Sequence, residues 1–212
     1  SKAKSLGKKI NGKNTHETSA CLSFDGKKLY FSSNREGGYG GHDLWVSNWD
    51  PNRMEWGEPK NMGGVVNTKD DERGVFKHPD GKTMYFASDG HPGMGGYDIY
   101  YASINDNGIW NKPINIGYPI STPDDDVHFV MSASGKHGYY ASFREDGEGE
   151  KDLYMVTFLG PVKIPILSGE DNLLASVVSP VQEDIVQQKV EVRMKNLSIL
   201  KGRIVKLNSS LS

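Results

Sequence analysis

Apolar and polar residues alternate over short stretches along the first 160 positions, and glycine-rich segments separate these stretches. Ser19 to Phe24 and Lys28 to Ser33 alternate as half-buried strands do. Asn34 to Gly41 contains four glycines and is expected to be a loop. Asp43 to Asn48 is then expected to be a third strand, and Trp56 to Met62 leads into a fourth.

This pattern occurs three times. Residues 41–45 (GHDLW) return as 96–100 (GYDIY) and again as 150–154 (EKDLY), at spacings of 55 and 54 residues. The repeats run from about His16 to Thr68, from Lys69 to Thr122 and from Pro123 to about Gly160, and the third stops before a fourth-strand signal. Because no sustained 3.6-residue period occurs inside them, a solenoid of helix pairs is excluded.

Four short strands per repeat of about 40 to 55 residues, with glycine turns at fixed offsets, are typical of β-propeller blades. Residues 6–11 look like residues 62–67 and 116–121, which end their repeats, so the chain is expected to open on the tail of a repeat. Propellers need about four to eight blades to close. Three blades and a stub over residues 1–160 are therefore expected to be part of a larger ring, and we expect a fragment.

The repeated motifs resemble a known family. The runs FDGKKLYFSS and GHDLW, together with a Trp-x-x-Pro-x-Asn-x-Gly segment, are similar to the WD40-like repeat of TolB-type propellers. The loop SNREGGYGGHD is similar to that of propellers in OmpA-family, peptidoglycan-associated outer-membrane lipoproteins, some of which act in type IX secretion. The resemblance implies a periplasmic, outer-membrane-associated protein. It implies a β-sandwich and a peptidoglycan-binding domain after the propeller.

The composition changes after Phe158, since all 21 aromatic residues of the chain lie at or before it. Prolines interrupt residues 161–188, which are expected to form a linker. Residues 189–212 are expected to begin a carboxypeptidase-regulatory-like β-sandwich, because residues 189–193 (KVEVR) alternate as an exposed strand does and residues 200–205 (LKGRIV) resemble the opening of that module.

The charge pattern excludes one class of partner. A formal net charge of -2 gives no basic field for nucleic acid. No run of 18 apolar residues occurs and no charged-then-apolar leader opens the chain, so neither a transmembrane segment nor a leader is expected in it. The single Cys21 is interpreted as a small buried hydrophobe. The six histidines occupy non-equivalent repeat positions, which argues against a ring of metal ligands.

Asp43, Asp98 and Asp152 recur at one repeat position, where a glycine-rich loop enters a strand. A carboxylate there can accept hydrogen bonds from loop N–H groups and hold the loop in one shape. We interpret these three residues as structural repeat acids. A calcium ion in the loops stays open as an alternative, although the loops offer few further oxygen ligands.

Glu17, Glu72 and Asp126 recur nine residues before the turn glycine of each repeat. First strands line the channel of a propeller, so these carboxylates are expected to ring one channel mouth. Two roles stay open for them: a structural one, in which they clamp neighbouring blades, and contact with a ligand or partner.

The glycine-rich loops are expected to emerge on one face of the disc, and they differ in sequence. Binding specificity is usually carried by loops on a rigid scaffold, so Arg35, Tyr39, Met94 and Arg144 are predicted to contact a protein partner. The sequence thus favours a non-enzymatic scaffold without cofactor or metal, whose partners are cell-envelope proteins and which reaches peptidoglycan only through a domain outside this chain. The alternative is a carbohydrate-active or peptidase-associated propeller that binds substrate at the channel mouth.

Overall fold

The structure is a computed structural model and describes residues 2–144 and 147–160. These residues form twelve β-strands and no helix. The strands are β1 (Glu17–Leu22), β2 (Lys28–Ser33), β3 (Asp43–Asp50), β4 (Glu55–Trp56), β5 (Lys60–Asn61), β6 (Glu72–Lys77), β7 (Thr83–Ser88), β8 (Asp98–Ser103), β9 (Ile114–Asn115), β10 (Asp126–Met131), β11 (His137–Ser142) and β12 (Asp152–Thr157).

The strands form three antiparallel sheets in chain order, which we call blades 1, 2 and 3. Blade 1 has the order β1-β2-β3, with β4 and β5 both paired to β3, and blade 2 has the order β6-β7-β8-β9. Blade 3 has the order β10-β11-β12, and residues 2–144 and 147–160 contain no fourth strand for it. Meandering four-stranded sheets in sequence are propeller blades. The all-β propeller prediction is therefore confirmed, with β1 beginning two residues earlier than expected.

Neighbouring blades pack face to face through aromatic and aliphatic side chains. Tyr30 and Leu44 of blade 1 pack against Met84 and Phe86 of blade 2 in one buried cluster. A second cluster joins blades 2 and 3 in the same way. Because blade 2 is covered on both sides, every residue of its central strand β7 is buried. Full burial of such a side chain contributes about 1.5 to 3 kcal/mol, so these clusters hold the blades together.

Each inner strand contains a β-bulge near its start. The pairing register shifts between Glu17 and Ala20 in β1, and at the equivalent positions in β6 and β10. Gly74 and His128, which lie in these bulges, have positive φ angles of 61° and 57°. A bulge bends its strand and re-aims its side chains. The inner strands thus turn toward one another, and Ser19 Oγ of β1 accepts a hydrogen bond of 3.0 Å from the Gly74 N–H.

Residues 7–11 have the conformation that ends a repeat. Gly7, Gly63 and Gly117 have φ angles of 91°, 86° and 80°. In each case the N–H four residues later donates to the glycine carbonyl, at 2.9, 2.9 and 3.0 Å. Ile10 and its equivalent Val66 are buried at 3% and 0% exposure. The stub expected from the sequence is present in the fold.

The linker predicted over residues 161–188 and the sandwich strands predicted over 189–212 lie outside the described residues and stay predictions. Within the described residues there is no helix of the length and hydrophobicity that crossing a membrane requires.

Candidate functional site

The recurring aspartates hold the glycine-rich loops by hydrogen bonds from loop backbone N–H groups. The Asp43 carboxylate accepts from Tyr39 N at 2.5 Å and from Gly40 N at 3.1 Å. The equivalent bonds run from Met94 N and Gly95 N to Asp98 at 2.6 and 3.3 Å, and from Glu148 N and Gly149 N to Asp152 at 2.7 and 3.3 Å. A carboxylate with two N–H donors fixes each loop.

One glycine of each loop is required by this arrangement. A Cβ atom on Gly38 would overlap the Asp43 carboxylate, and one on Gly93 would overlap that of Asp98. The loop can fold over the carboxylate only because no side chain stands there. The acids and the glycines are separate features of the sequence, and the fold brings them into contact.

Two further aspartates connect the loops of blades 1 and 2 to the next blade. The His42 N–H donates to Asp71 Oδ1 at 2.7 Å, and the Tyr97 N–H donates to Asp125 Oδ1 at 3.2 Å. The Glu72 N–H returns a bond of 2.6 Å to the His42 carbonyl. Sequence reasoning missed this contact. The sequence feature that could have predicted this contact is the acid that directly precedes the first strand in the second and third repeats.

The first-strand carboxylates are buried in the framework. Glu72 is 0% exposed and accepts from Thr68 N at 3.0 Å, Thr68 Oγ1 at 2.7 Å and Ser88 Oγ at 2.8 Å. Asp126 is also 0% exposed and accepts from the N–H and hydroxyl of Thr122 at 2.6 and 3.0 Å. These two acids therefore do not present oxygens at an open channel mouth. They fasten a blade's first strand to the connection that precedes it.

The pKa values of these acids follow from their surroundings. Burial raises the pKa of Glu72 to about 7 against the lowering effect of its hydrogen bonds from Thr68 and Ser88. Burial also raises the pKa of Asp126. At Glu17 burial acts in the same direction, but hydrogen bonds from Thr15, Ser33 and Arg35 lower the pKa below its ordinary value. Glu17 differs because its side chain is less deeply buried, at 16% exposure, and because Arg35 adds a charged donor to the two hydroxyl donors.

Arg35 lies in an intramolecular contact between the stub and blade 1. Its Nη1 and Nη2 donate to the carbonyls of Lys9 and Ile10 at 3.1 and 2.6 Å, and Nη2 lies 3.1 Å from Glu17 Oε1. The guanidinium also lies 4.7 Å from the centroid of the Phe31 ring. Its side chain is only 14% exposed. This residue is occupied within the fold, which corrects its prediction as an exposed partner contact.

The other two blades contain an equivalent contact to the last turn of the preceding repeat, made by an arginine in blade 3 and by a histidine in blade 2. Arg144 donates from Nη2 to the Pro119 carbonyl and lies 4.6 Å from the centroid of the Tyr154 ring. In blade 2 His91 takes this place, with Nε2 2.8 Å from the Val66 carbonyl. Each blade thus carries a cation or imidazole that binds the last turn of the preceding repeat. Arg144 is partly exposed, so its role as a partner contact stays a prediction.

Tyr39 and Met94 occupy the exposed tips of the loops. They are 60% and 51% exposed, whereas their own N–H groups are held by Asp43 and Asp98. The Tyr39 ring lies over Gly64, where a Cβ atom would stand 2.8 Å from Cε1. The loop tips are therefore apolar and fixed in position. Their role in partner binding stays a prediction.

A groove lies between the inner strands next to these loops. It is about 240 Å³ in volume, and its walls include Arg73, Tyr97, Asp125, His128 and Lys151. Lys151 Nζ lies 3.3 Å from Asp125 Oδ2, and the Arg73 guanidinium lies 5.2 Å from the centroid of the Tyr97 ring. His128 is exposed and has the positive φ noted above. The equivalent bulge positions are Ser19 in blade 1 and Gly74 in blade 2, so a histidine occurs at this position in blade 3 alone among the three blades.

Two kinds of reactive group could support catalysis among the described residues: a cluster of metal-ligating side chains and an activated thiol. Among residues 2–144 and 147–160, no three His, Cys, Asp or Glu side chains converge as metal ligands do. Burial raises the pKa of the Cys21 thiol, and the Lys77 N–H donates to its sulfur at 3.3 Å. A thiol with a raised pKa is a poor nucleophile. The recurring carboxylates are bound to backbone and hydroxyl groups of the framework.

No protein-family model and no curated protein sequence matches the chain. Solved structures similar to it include TolB from Acinetobacter baumannii, with a TM-score of 0.46 and 18% identity, covering 70% of this chain and 32% of that one. An endo-arabinase from Bacteroides thetaiotaomicron has a TM-score of 0.46 and 14% identity, covering 73% and 60%. Prolyl oligopeptidase B from Galerina marginata has a TM-score of 0.42 and 16% identity, covering 73% and 20%.

The chain thus spans about a third of the TolB structure and less than two thirds of the other two. The fold assignment rests on the strand order and blade packing described above, and no activity of these proteins transfers to this chain.

Proposed function

We propose that this chain is the propeller segment of a non-enzymatic scaffold of the Gram-negative cell envelope. The scaffold is periplasmic and outer-membrane-associated, and it links outer-membrane or secretion components to peptidoglycan through a domain outside this chain. The resemblance of the repeated motifs to those of OmpA-family lipoproteins, including type IX secretion components, supports this placement. The observation that carries the binding role is the pair of exposed apolar side chains, Tyr39 and Met94, on loops held by buried aspartates.

The glycine-rich loops of blades 1 and 2 are preorganised for binding. An exposed loop normally loses conformational entropy when a partner orders it, which costs affinity. Here Asp43 and Asp98 already hold the loops in one shape, so less entropy is lost on binding. Tyr and Met are enriched at protein interfaces, and Tyr often carries much of the binding energy. The loop tips therefore suit contact with a protein surface.

The same contacts argue for a role other than catalysis. A glycosidase needs two carboxylates about 5 to 10 Å apart, one of them free to transfer a proton. The recurring acids of this chain instead accept hydrogen bonds within the framework. Loss of any of these acids would loosen a loop or a blade, so we assign them a structural role.

The alternative, a carbohydrate-active or peptidase-associated propeller, has one observation in its favour. In the groove His128 stands where the other blades have Ser19 and Gly74, and an enzyme should break its repeat at the site. This alternative expects that His128→Ala abolishes a hydrolytic activity, whereas the scaffold expects no hydrolysis of glycan or peptide substrates by the unaltered chain.

The test replaces Tyr39 and Met94 with Asp and measures capture of envelope proteins from an outer-membrane extract. Replacement of the equally exposed Ile109 with Asp is the matched control, since Ile109 is 60% exposed and lies away from the glycine-rich loops. We expect the double variant to lose most of the specific capture at an unchanged melting temperature, and the control to retain it. Equal capture by both variants would place the binding face elsewhere.

A further inference from the structure

The groove beside the glycine-rich loops is bordered by the inner strands of all three blades. Thr18 and Ser19 come from β1, Arg73 from β6 and His128 from β10. Inner strands surround the central channel of a propeller, so this groove opens toward the channel. A molecule bound there is held by three blades at once.

The repeat is broken in this groove by two side chains that the fold does not need. Position 73 is an arginine, whereas blades 1 and 3 have Thr18 and Val127 there. His128 stands where the other two blades have a serine and a glycine. All three inner strands form the bulge, so the bulge itself requires neither an arginine nor a histidine.

The backbone of His128 is strained where a glycine would not be. Its φ angle is 57°, and Gly74 holds the same conformation in blade 2 at 61°. Glycine adopts such angles without steric cost, and other residues in this region often occur at functional sites. A Cβ atom on Gly74 would stand 3.1 Å from the His128 N and 3.7 Å from its Nδ1. The imidazole of blade 3 thus lies against the residue that follows Arg73.

Arg73 is fixed in position by its neighbours and has donors left over. Its Nη2 donates to Asp71 Oδ2 at 2.6 Å, and the Tyr97 hydroxyl donates to the same oxygen at 3.0 Å. The His42 N–H holds the other Asp71 oxygen at 2.7 Å. A guanidinium has five N–H donors in a planar fork, and Arg73 Nε has no acceptor among residues 2–144 and 147–160. A group held in this way loses little freedom when a ligand binds.

The charges around the groove select the kind of ligand. Arg73 and Lys151 are paired with Asp71 and Asp125, so positive and negative groups nearly balance. The two cations would repel a metal ion, and the two carboxylates would repel a phosphate with nearly two negative charges. A carboxylate carries a single charge, and its two oxygens match the planar guanidinium fork.

We propose that this groove binds a carboxylate group, carried by the C-terminus of a peptide or by a small organic acid. The carboxylate accepts hydrogen bonds from the Arg73 guanidinium and from an imidazole N–H of His128. The groove volume of about 240 Å³ accommodates the carboxylate and the few atoms next to it. A wider cleft of about 710 Å³ shares Asp125 and Lys151 with the groove, so there is room for a longer ligand. This inference goes beyond the proposed function and does not depend on the loop tips.

The first experiment titrates the isotope-labelled chain at constant ionic strength and follows its NMR signals. The probes are acetate, the dipeptide acetyl-lysyl-alanine with a free carboxylate, and the same dipeptide with an amidated C-terminus. We expect acetate and the free dipeptide to shift the Arg73 and His128 side-chain signals to saturation, and the amide to shift neither. Tighter binding of the free dipeptide than of acetate would identify a peptide end as the source, and equal binding a small organic acid.

Three results of this titration would overturn the proposal. The first is the absence of any shift with acetate or the free dipeptide at tens of millimolar. The second is equal binding of the amidated dipeptide, because the carboxylate would then not be recognised. The third is tighter binding of inorganic phosphate than of acetate, because the charge balance of the groove would then not favour a monoanion.

The second experiment separates binding from stability with two variants. Arg73→Gln should raise the dissociation constant of acetate by about 10- to 100-fold, the effect of losing a charged hydrogen-bond donor. Arg53→Gln is the matched control, since Arg53 is 72% exposed in a surface turn, and it should leave the constant unchanged. His128→Gly should weaken binding without lowering the melting temperature, because glycine adopts the positive φ freely. Unchanged binding in both Arg73→Gln and His128→Gly would overturn the proposal.

Discussion

Arg35 donates from Nη2 to the Ile10 carbonyl at 2.6 Å, and its guanidinium lies over the Phe31 ring at 4.7 Å from the centroid. This contact joins the last turn of one repeat to the glycine-rich loop of the next. Arg144 and His91 make its counterparts in the other blades. The loop base is therefore part of the blade-to-blade framework, while only the loop tip is free to meet other molecules.

Replacement of Arg35 by Ala should destabilise the fold by about 2 to 3 kcal/mol, because it leaves buried carbonyls and Glu17 without their charged donor. Urea unfolding followed by tryptophan fluorescence measures the change. Arg53→Ala is the control, since its side chain is 72% exposed and its ion pair with Asp50 is on the surface. Equal unfolding midpoints for the two variants would show that the Arg35 contact contributes nothing.

Asp98→Ala should lower the free energy of unfolding by about 1 to 3 kcal/mol, because the N–H groups of Met94 and Gly95 lose their acceptor. Asp106→Ala, at a side chain that is 94% exposed, should have no measurable effect. Thermal melts with and without Ca²⁺ distinguish a structural acid from a metal ligand. If calcium raises the melting temperature of the unaltered chain and not of Asp98→Ala, the loop is a metal site instead.

The backbone of the first glycine-rich loop lies so close to the next blade that a single added methyl group should destabilise the fold. A Cβ atom on Gly40 would overlap the Asp70 carbonyl of the next blade's entry segment, whereas one on Gly149 would meet only Asp152 Oδ1 at 3.6 Å. Gly40→Ala should therefore destabilise the fold by about 2 kcal/mol or more, and Gly149→Ala by less than about 1 kcal/mol. Calorimetric melting temperatures compare the two. A larger loss at Gly149 would contradict the close approach at Gly40.

Glu72 should make stability depend on pH. Its folded pKa of about 7 lies above its ordinary value of 4.5, so the protonated carboxyl favours folding. This contribution is fully present below pH about 4.5 and is lost as the pH rises through about 7. A shift of this size corresponds to about 3 kcal/mol.

Urea unfolding at several pH values between about 4 and 8 tests this. Glu72→Gln should remove most of the decline, because Gln has no proton to lose. Glu58→Gln, at a side chain that is 77% exposed, should leave the decline in place. If the free energy of unfolding falls with rising pH just as much in Glu72→Gln, a group other than Glu72 causes the decline.

The sequence by itself determined the repeat, the strands and the loops, because these depend on local periodicity and on glycines at fixed offsets. Lys28–Ser33 was predicted to the residue, and the stub was recognised from residues that copy the later turns. The recurrence of Asp43, Asp98 and Asp152 beside glycines was enough to expect bonds to the loop backbone.

Only the tertiary structure decided which charged side chains are free. Arg35 and Tyr39 lie four residues apart in one loop, and nothing local separates a guanidinium that binds the preceding repeat from a ring that stays exposed. The carbonyl acceptors of Arg35 lie 25 and 26 residues away in the sequence, so its partner depends on how blades stack. Likewise Glu72 and Asp126 are buried because the preceding connection, with Thr68 and Thr122, folds against them, and burial is a property of packing.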